Sequence, residues 1–174
     1  MTDESLLSET LRINEIGTGA TRRITPDEAT RKRIARSLDL ISLDAFDAEL
    51  RVEPAREGWR LTGRLQSEAV QACGITLEPL PVTIDQSFAV DLVDSAPVAN
   101  DDGEIEVSVE DDAPDVIENG KIDLGQYALE QLVLSLDPFP RKPGAEFVQP
   151  PEPAEISPFA VLKQFKRPED GGAD

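Results

Sequence analysis

Residues 119–144 read NGKIDLGQYALEQLVLSLDPFPRKPG, and this stretch decides the fold. Asp123 is a good N-cap residue and is followed three positions later by Gln126, a pairing that satisfies the free amide groups at the start of a helix. Proline disfavours helix in the residue before it, so Pro138 ends the helix. The stretch therefore predicts a helix over residues 123–136 that faces the core with a broad apolar stripe. The stripe consists of Leu124, Tyr127, Ala128, Leu129, Leu132, Val133 and Leu136.

The residues upstream predict a second helix and a set of strands. Thr25 as N-cap, Pro26 at the first helical position and Glu28 form a capping box, which predicts a helix that runs to about residue 38. Apolar and polar residues then alternate over residues 40–52 and 59–70, with a turn at 54–58, as in a β-hairpin. Residues 80–93 predict a further strand with a bulge near residues 85–87.

These elements predict an α+β fold, in which two packed helices cover a curved antiparallel sheet built from residues 40–122 and the termini are flexible. With 174 residues the chain is long enough for one domain. We expect an N-terminal arm at 1–24, the domain at 25–144, and a Pro-rich tail at 145–174 with a short apolar motif at 157–166. Within the domain we expect an acidic loop at 94–118 that contains a short strand at 105–109. Val116, Ile117 and Ile122 are expected to return the chain to the sheet.

The net charge of −18 is concentrated in the middle of the chain, because residues 65–140 hold 17 Asp and Glu against one Lys. Such a region repels phosphates within a Debye length of about 8–10 Å, so it is not itself a nucleic-acid-binding face. It can instead attract a basic protein. The simpler interpretation is a surface that only keeps the domain soluble. The candidate residues for binding a basic partner are Asp101, Asp102, Glu104, Glu106, Glu110, Asp111 and Asp112.

A local basic cluster is the alternative binding element, since six cations fall within residues 22–36. If they share one face, they can make several phosphate contacts to RNA. The simpler interpretation is a solvated helix face that pairs with the acidic loop. The six residues are Arg22, Arg23, Arg31, Lys32, Arg33 and Arg36.

The sequence offers few residues for catalysis or for cofactor binding, because the chain has no histidine and Cys73 is its one cysteine. An intramolecular disulfide, a Cys–His nucleophile and a four-ligand zinc site are therefore excluded. Residues 101–104 lack the ligand spacing of a calcium loop, and residues 17–23 do not form a phosphate loop. We expect a structural role for Cys73, and we expect no catalytic residues, no cofactor, no metal and no small-molecule substrate. A metal-dependent nuclease built on Asp101, Asp102 and Glu104 is the rival from the enzyme class.

Neither a secretory signal nor an apolar run of the roughly 18–20 residues needed to span a bilayer is present in the sequence. We therefore expect a cytoplasmic protein that does not bind membranes.

Four segments together resemble a known family. They are RITPDEATRKRIARSLDL at 23–40, LTGRLQSEAVQACGITLEPLPVTI at 61–84, IDLGQYALEQLVLSLDPFPRKPG at 122–144 and SPFAVLKQFK at 157–166. In this order they resemble the YceD family, the large ribosomal RNA subunit accumulation proteins, in its alphaproteobacterial form. Many members have a C-x-x-C pair where Cys73 and Thr76 stand here, and some have further cysteines where residues 138–143 stand. These departures remove any metal-binding role in this chain.

The resemblance implies a non-enzymatic accessory factor for the accumulation or processing of large-subunit (23S) ribosomal RNA. Two mechanisms fit the residues. In the first, the acidic loop binds a basic ribosomal or ribosome-assembly protein, so that the protein acts as an interaction scaffold. In the second, the basic helix at 22–36 binds rRNA directly.

Overall fold

The structure, a computed structural model, describes residues 6–94 and 113–147. Some of the strands pair with the next strand in the sequence, and others pair with a distant one. In chain order the elements are β1 (Thr10–Arg12), a 3₁₀ helix (Ile13–Glu15), β2 (Ala20–Ile24), α1 (Glu28–Ser37), β3 (Ser42–Ala55), β4 (Gly58–Ala72), β5 (Pro79–Val93), β6 (Asp115–Val116), β7 (Lys121–Asp123) and α2 (Leu124–Ser135).

Most of the strands belong to one five-stranded sheet with the order β2-β3-β4-β5-β6. Its neighbouring strands are antiparallel except for β6, which runs parallel to β5. The α+β class with a mostly antiparallel sheet and two helices is therefore confirmed. The predicted hairpin is also confirmed: β3 and β4 are joined by a two-residue turn at Arg56 and Glu57.

The predicted bulge in β5 is wrong. The pairing between β4 and β5 runs from Trp59 opposite Leu92 to Ala72 opposite Pro79 without a register shift. The alternation continues through Gln86, a polar residue at a position where the pattern predicts an apolar one. The sequence interpretation counted this residue as an insertion. The register shift of the sheet lies instead on β3, between Leu43 and Ala45.

The core lies between one face of this sheet and the two helices. Leu50, Leu61 and Leu65 are fully buried on that face and belong to the same hydrophobic cluster as residues of α1 and α2. Residues of the opposite face, such as Glu49 and Arg64, are exposed. Side chains alternate between the two faces of a strand, so the apolar residues lie on one face and the polar residues on the other. Both helices pack on the apolar face, and the polar face is left to solvent.

Helix α1 begins two residues later than the sequence predicts. Its N-cap is Asp27, whose Oδ1 accepts a hydrogen bond from the backbone N–H of Thr30 at 2.8 Å. Thr25 was the predicted cap, but its hydroxyl donates to Asp47 Oδ2 on β3 at 2.8 Å and is not available to the helix. The helix buries Ile34 and Ala35 against the sheet.

Helix α2 begins and ends as predicted. The Asp123 carboxylate accepts hydrogen bonds from the backbone N–H groups of Gly125 and Gln126, and the helix ends at Ser135. Val133 departs from the predicted stripe, because 45 % of its surface is exposed. The buried residues of this helix are Leu124, Gly125, Ala128 and Leu132.

The residues before α1 are part of the packed structure. Strand β2, which the sequence interpretation placed in an N-terminal arm, pairs with β3 from Ala20 to Ile24. Strand β1 pairs with β7, so Ile122 lies in a separate two-stranded sheet and not in the larger one. Leu11 and Ile16 are buried in the same core. In the described ranges, no helix is long and apolar enough to cross a bilayer.

Candidate partner-binding surfaces

Two of the six predicted basic residues lie on strand β2 and not on the helix. Arg22 and Arg23 are consecutive residues of this strand, so their side chains point to opposite faces of the sheet. Arg23 Nε donates to both oxygens of Asp47, at 3.1 and 2.9 Å, and this hydrogen bond is the main cause that holds the pKa of Asp47 below its usual value. Arg22 Nε lies 3.9 Å from Glu9 Oε1. The structure therefore does not bring all six cations to one face.

The four cations on α1 all use neighbouring acceptors. Lys32 Nζ pairs with Glu28 Oε1 at 2.5 Å, four residues earlier on the helix. Arg36 Nε donates to the backbone carbonyl of Lys32 at 3.2 Å, and Arg33 Nη2 donates to that of Leu6 at 3.4 Å. Arg31 is half-buried and donates from Nη1 to the carbonyl of Pro26 at 2.9 Å. These side chains are partly held in place by the protein itself.

An open groove of about 510 Å³ runs beside α1, and we call it the α1 groove. Arg31, Lys32 and Arg36 line it together with the acids Glu28 and Asp44. Leu40 and Ile41 contribute apolar surface, and 53 % of Ile41 is exposed. Three cations and two acids therefore give the α1 groove a small positive charge beside apolar surface.

The structure does not describe the seven acids that the sequence predicts to bind a basic partner. Their placement, like that of the apolar motif at 157–166 and the expected strand at 105–109, lies outside the described residues. The seven are Asp101, Asp102, Glu104, Glu106, Glu110, Asp111 and Asp112.

A different acidic surface is formed where β6 and β7 meet α2, and we call it the α2 groove. It has a volume of about 490 Å³, and its acidic side chains are Asp115, Glu118, Asp123 and Glu130. Asp123 is engaged as the cap of α2. The other three acids form no ion pair with any residue that the structure describes. Lys121 also lines the groove, so four acids stand against one cation there and the groove has an excess of three negative charges.

Tyr127 fixes one side of the α2 groove. Its hydroxyl donates to Asp115 Oδ2 at 3.0 Å. Burial of the phenol and, next, its contact with Asp115 raise the pKa of Tyr127 well above its usual value. The tyrosine therefore stays neutral and holds the carboxylate in place without cancelling its charge. The sequence interpretation treated Tyr127 as a core residue and did not select Glu130, although the excess of acids in residues 65–140 already included it.

The acids on the solvent face of the sheet are in a different situation, because arginines lie beside them. Arg64 makes a two-pronged contact with Asp85, with Nη2 2.7 Å from Oδ2, and this contact lowers the pKa of Asp85. Arg60 lies 3.2 Å from Asp91. Exposed pairs of this kind add little stability. Their charges largely cancel at a distance, so the excess of negative charge lies at the α2 groove and not at these pairs.

Cys73 lies at the end of β4 and is fully buried, as predicted for a structural thiol. Its Sγ accepts hydrogen bonds from the backbone N–H groups of Thr76, at 3.5 Å, and Lys142, at 3.3 Å. Hydrogen bonds from Thr76 and then from Lys142 lower the pKa of Cys73 to about 6. Lys142 Nζ also pairs with Glu78 at 2.9 Å, which ties the segment after α2 to the loop between β4 and β5.

Thr76 and Lys142 both contact Cys73, so the structure brings together position 76 and the segment 138–143, where the resemblance implies further cysteines in some members. Zinc takes four Cys or His ligands in a structural site. The residues present offer a single thiol, so they do not fit such a metal. In the part of the chain that the structure describes, no group of three or more His, Cys, Asp or Glu could hold a metal ion. The hydrogen bonds to Cys73 Sγ and the pair of Lys142 with Glu78 hold the segment after α2 against the loop between β4 and β5, and we call this cluster the Cys73 clasp.

Comparison with known protein families gives a match to this chain. The family model described as large ribosomal RNA subunit accumulation protein YceD matches residues 61–166, which is more than half of the chain. No curated protein and no solved structure matches. The matched region includes most of β4, the Cys73 clasp, the α2 groove and the apolar motif near the C-terminus. On this match, the chain belongs to the YceD family of large ribosomal RNA subunit accumulation proteins.

Proposed function

We propose that this protein is a non-enzymatic, cytoplasmic factor for the accumulation of large-subunit ribosomal RNA, and that it acts as an acidic scaffold for a basic ribosomal or ribosome-assembly protein. The family supports the role in accumulation of this RNA. The observation that carries the scaffold is the α2 groove, where Asp115, Glu118 and Glu130 face solvent without an ion-pair partner among the described residues.

An excess of negative charge in a groove favours one class of partner. The low-dielectric walls of a groove focus the field of its charges, so the local concentration of a cationic partner rises. The same field repels the phosphates of RNA. Charge complementarity acts mainly on the association rate and on the choice of partner, and it weakens as the salt concentration rises. A basic protein is therefore the partner that this groove selects.

The alternative function is direct RNA binding through the basic region at 22–36. The α1 groove favours it, because Arg31, Lys32 and Arg36 border an apolar surface there. Against it, Arg23 and Lys32 already pair with carboxylates, and Arg22 points to the opposite face from Arg23. The number of phosphates that one face could contact is smaller than the sequence suggests.

Two matched double variants separate these functions. Glu118→Lys with Glu130→Lys reverses the α2 groove, and Lys32→Glu with Arg36→Glu reverses the α1 groove. Each is tested by quantitative capture of RNA-free proteins extracted from purified large ribosomal subunits and, separately, of purified 23S rRNA.

The scaffold predicts that the α2-groove variant loses at least tenfold in protein capture, and that the α1-groove variant binds proteins as the wild type does. The control is Glu49→Lys with Glu68→Lys, which changes the net charge equally on exposed positions of the sheet. An equal loss in the control would show that net charge alone attracts the proteins. Specific rRNA binding that only the α1-groove variant loses would instead establish the alternative function.

A further inference from the structure

Strand β5 has an edge that is mostly open. On one side β5 pairs with β4 along its whole length. On the other side β6 pairs only with Leu92 and Val93. Within residues 6–94 and 113–147, no strand pairs with that side of residues 79–91. An exposed strand edge presents a row of unpaired backbone donors and acceptors that can template another strand.

The contacts at both ends of β5 show which residues point to the open edge. The carbonyl of Glu78 accepts from Cys73 N, on the β4 side, at 2.9 Å. The carbonyl of Val93 accepts from Ile117 N, on the β6 side, at 2.7 Å. Backbone groups of successive strand residues point to alternate edges, and the β4–β5 register has no shift.

Odd-numbered residues of β5 therefore direct their N–H and C=O groups to the open edge. Proline lacks an N–H and is tolerated where a strand nitrogen faces outward. Pro79 and Pro81, both odd-numbered, fit this assignment. Among the residues that the structure describes, no strand pairs with the outward backbone N–H groups of Thr83, Asp85, Ser87, Ala89 and Asp91.

The open edge is long enough to take a strand, since Thr83 to Asp91 spans about 27 Å at 3.4 Å per residue. It borders a groove of about 870 Å³ that continues from the α2 groove. Val90 of β5 and Leu134 of α2 line this second groove, and 70 % of Leu134 is exposed. A strand added here would place alternate side chains against this apolar surface.

Charge decides which strand fits. The charged residues that line this second groove are the acids Glu57, Asp91, Asp115 and Glu130 and the cations Arg56 and Arg60, which leaves an excess of two negative charges. A second copy of the chain would bring its own charge of −18 to an acidic edge and would be repelled. A basic segment with alternating apolar residues would be attracted by the excess negative charge and could place its apolar residues against the apolar surface of the second groove.

From this geometry we infer that the open edge of β5 binds an extended, basic segment of the partner protein as an added sheet strand. The inference rests on the proposed scaffold function and states how the partner is held. It extends the binding surface from the α2 groove to the sheet edge.

The test is hydrogen–deuterium exchange at single-residue resolution on the full chain, alone and with RNA-free proteins extracted from purified large ribosomal subunits. The amides of Thr83, Asp85, Ser87 and Ala89 are expected to exchange fast in the free protein and at least tenfold more slowly in the complex. The amides of even-numbered residues, such as Val90, are expected to be slow in both states because they pair with β4.

Three outcomes would overturn the inference. Slow exchange of the odd-numbered amides in the free protein would mean that the chain itself or a second copy already occupies the edge. Capture of the extracted proteins without slower exchange would refute the added strand but leave the scaffold intact. Failure to capture any extracted protein would refute both.

A matched pair of variants at Ser87 adds a second measurement. Ser87→Pro removes an outward N–H but no hydrogen bond to β4, and the same edge already contains two prolines. We expect it to lower capture at least tenfold, whereas Ser87→Thr, which keeps the N–H, stays within twofold of the wild type. Slow exchange at Val90 verifies that the proline variant is folded. Equal capture by the two variants would contradict the inference.

Discussion

Replacement of Gly125 is predicted to lower the stability of the protein, because the N-terminal segment packs directly on this residue. A Cβ added at this position would lie 2.5 Å from the carbonyl oxygen of Leu7 and 2.9 Å from the nitrogen of Glu9. The first distance is about 0.9 Å short of an ordinary contact of 3.4 Å. Both atoms belong to the backbone, so the N-terminal segment as a whole has to move.

The cost of Gly125→Ala can be estimated from three contributions. Overpacking costs about 1–3 kcal/mol. Movement of the segment also weakens the hydrogen bonds from Leu124 N to Glu9 O, at 2.9 Å, and from Glu9 N to Asp123 Oδ1, at 3.1 Å, each of which contributes about 0.5–1.5 kcal/mol. Alanine returns at most about 1 kcal/mol of helix propensity. We expect a net loss of about 2–3 kcal/mol.

Such a loss lowers Tm by roughly 4–12 °C in a chain of this size. Thermal unfolding followed by circular dichroism measures it. Gly74→Ala is the control, because its added Cβ would lie 3.6 Å from Pro140 O, an ordinary contact. A Gly125→Ala protein as stable as the control would refute the close packing of α2 on residues 7–9.

Three further predictions concern single groups. Asp27→Ala should lower Tm by a few degrees and Thr25→Val by less, because the first removes the cap of α1; thermal unfolding of both variants decides between the two assignments. Cys73 has a pKa lowered to about 6 from an ordinary value of 9.0, so its thiolate stabilises the fold above pH 9, and this contribution is lost as the pH falls to 6. The stability gap between wild type and Cys73→Ala should therefore widen from pH 6 to pH 9 in denaturant titrations, and a constant gap would contradict the hydrogen-bonded clasp. The single tyrosine, Tyr127, should titrate above its usual pKa of 10.0 by absorbance near 295 nm, and Asp115→Asn should bring the midpoint down.

Local signals were sufficient to predict the elements whose ends are set by neighbouring residues. Helix α2 has its cap and its stop within fifteen residues of each other, and the β3–β4 hairpin has its turn between two alternating runs. Local signals were not sufficient where a distant residue decides. Thr25 has the sequence of a cap, but its hydroxyl bonds to Asp47, 22 residues away. Strand β2 depends on its pairing with β3, which the sequence before α1 does not indicate.

The candidate surfaces follow the same rule. Segregation of charge into residues 65–140 could be read from the sequence, and it includes all the acids of the α2 groove. Which of those acids lack a cation depends on the sheet, since Asp85 and Asp91 are paired only because β4 places arginines beside them. The grouping of Asp115 with Glu130 requires β6 to lie against α2, and no local pattern predicts that contact.

Affinity purification of the tagged protein from cells, with and without ribonuclease, tests the central proposal most directly. The scaffold account predicts that a basic large-subunit or assembly protein is retained after complete RNA digestion and is released by raised salt. Loss of every bound ribosomal protein on ribonuclease treatment would mean that RNA holds the complex together, and it would contradict an acidic surface that binds the protein itself.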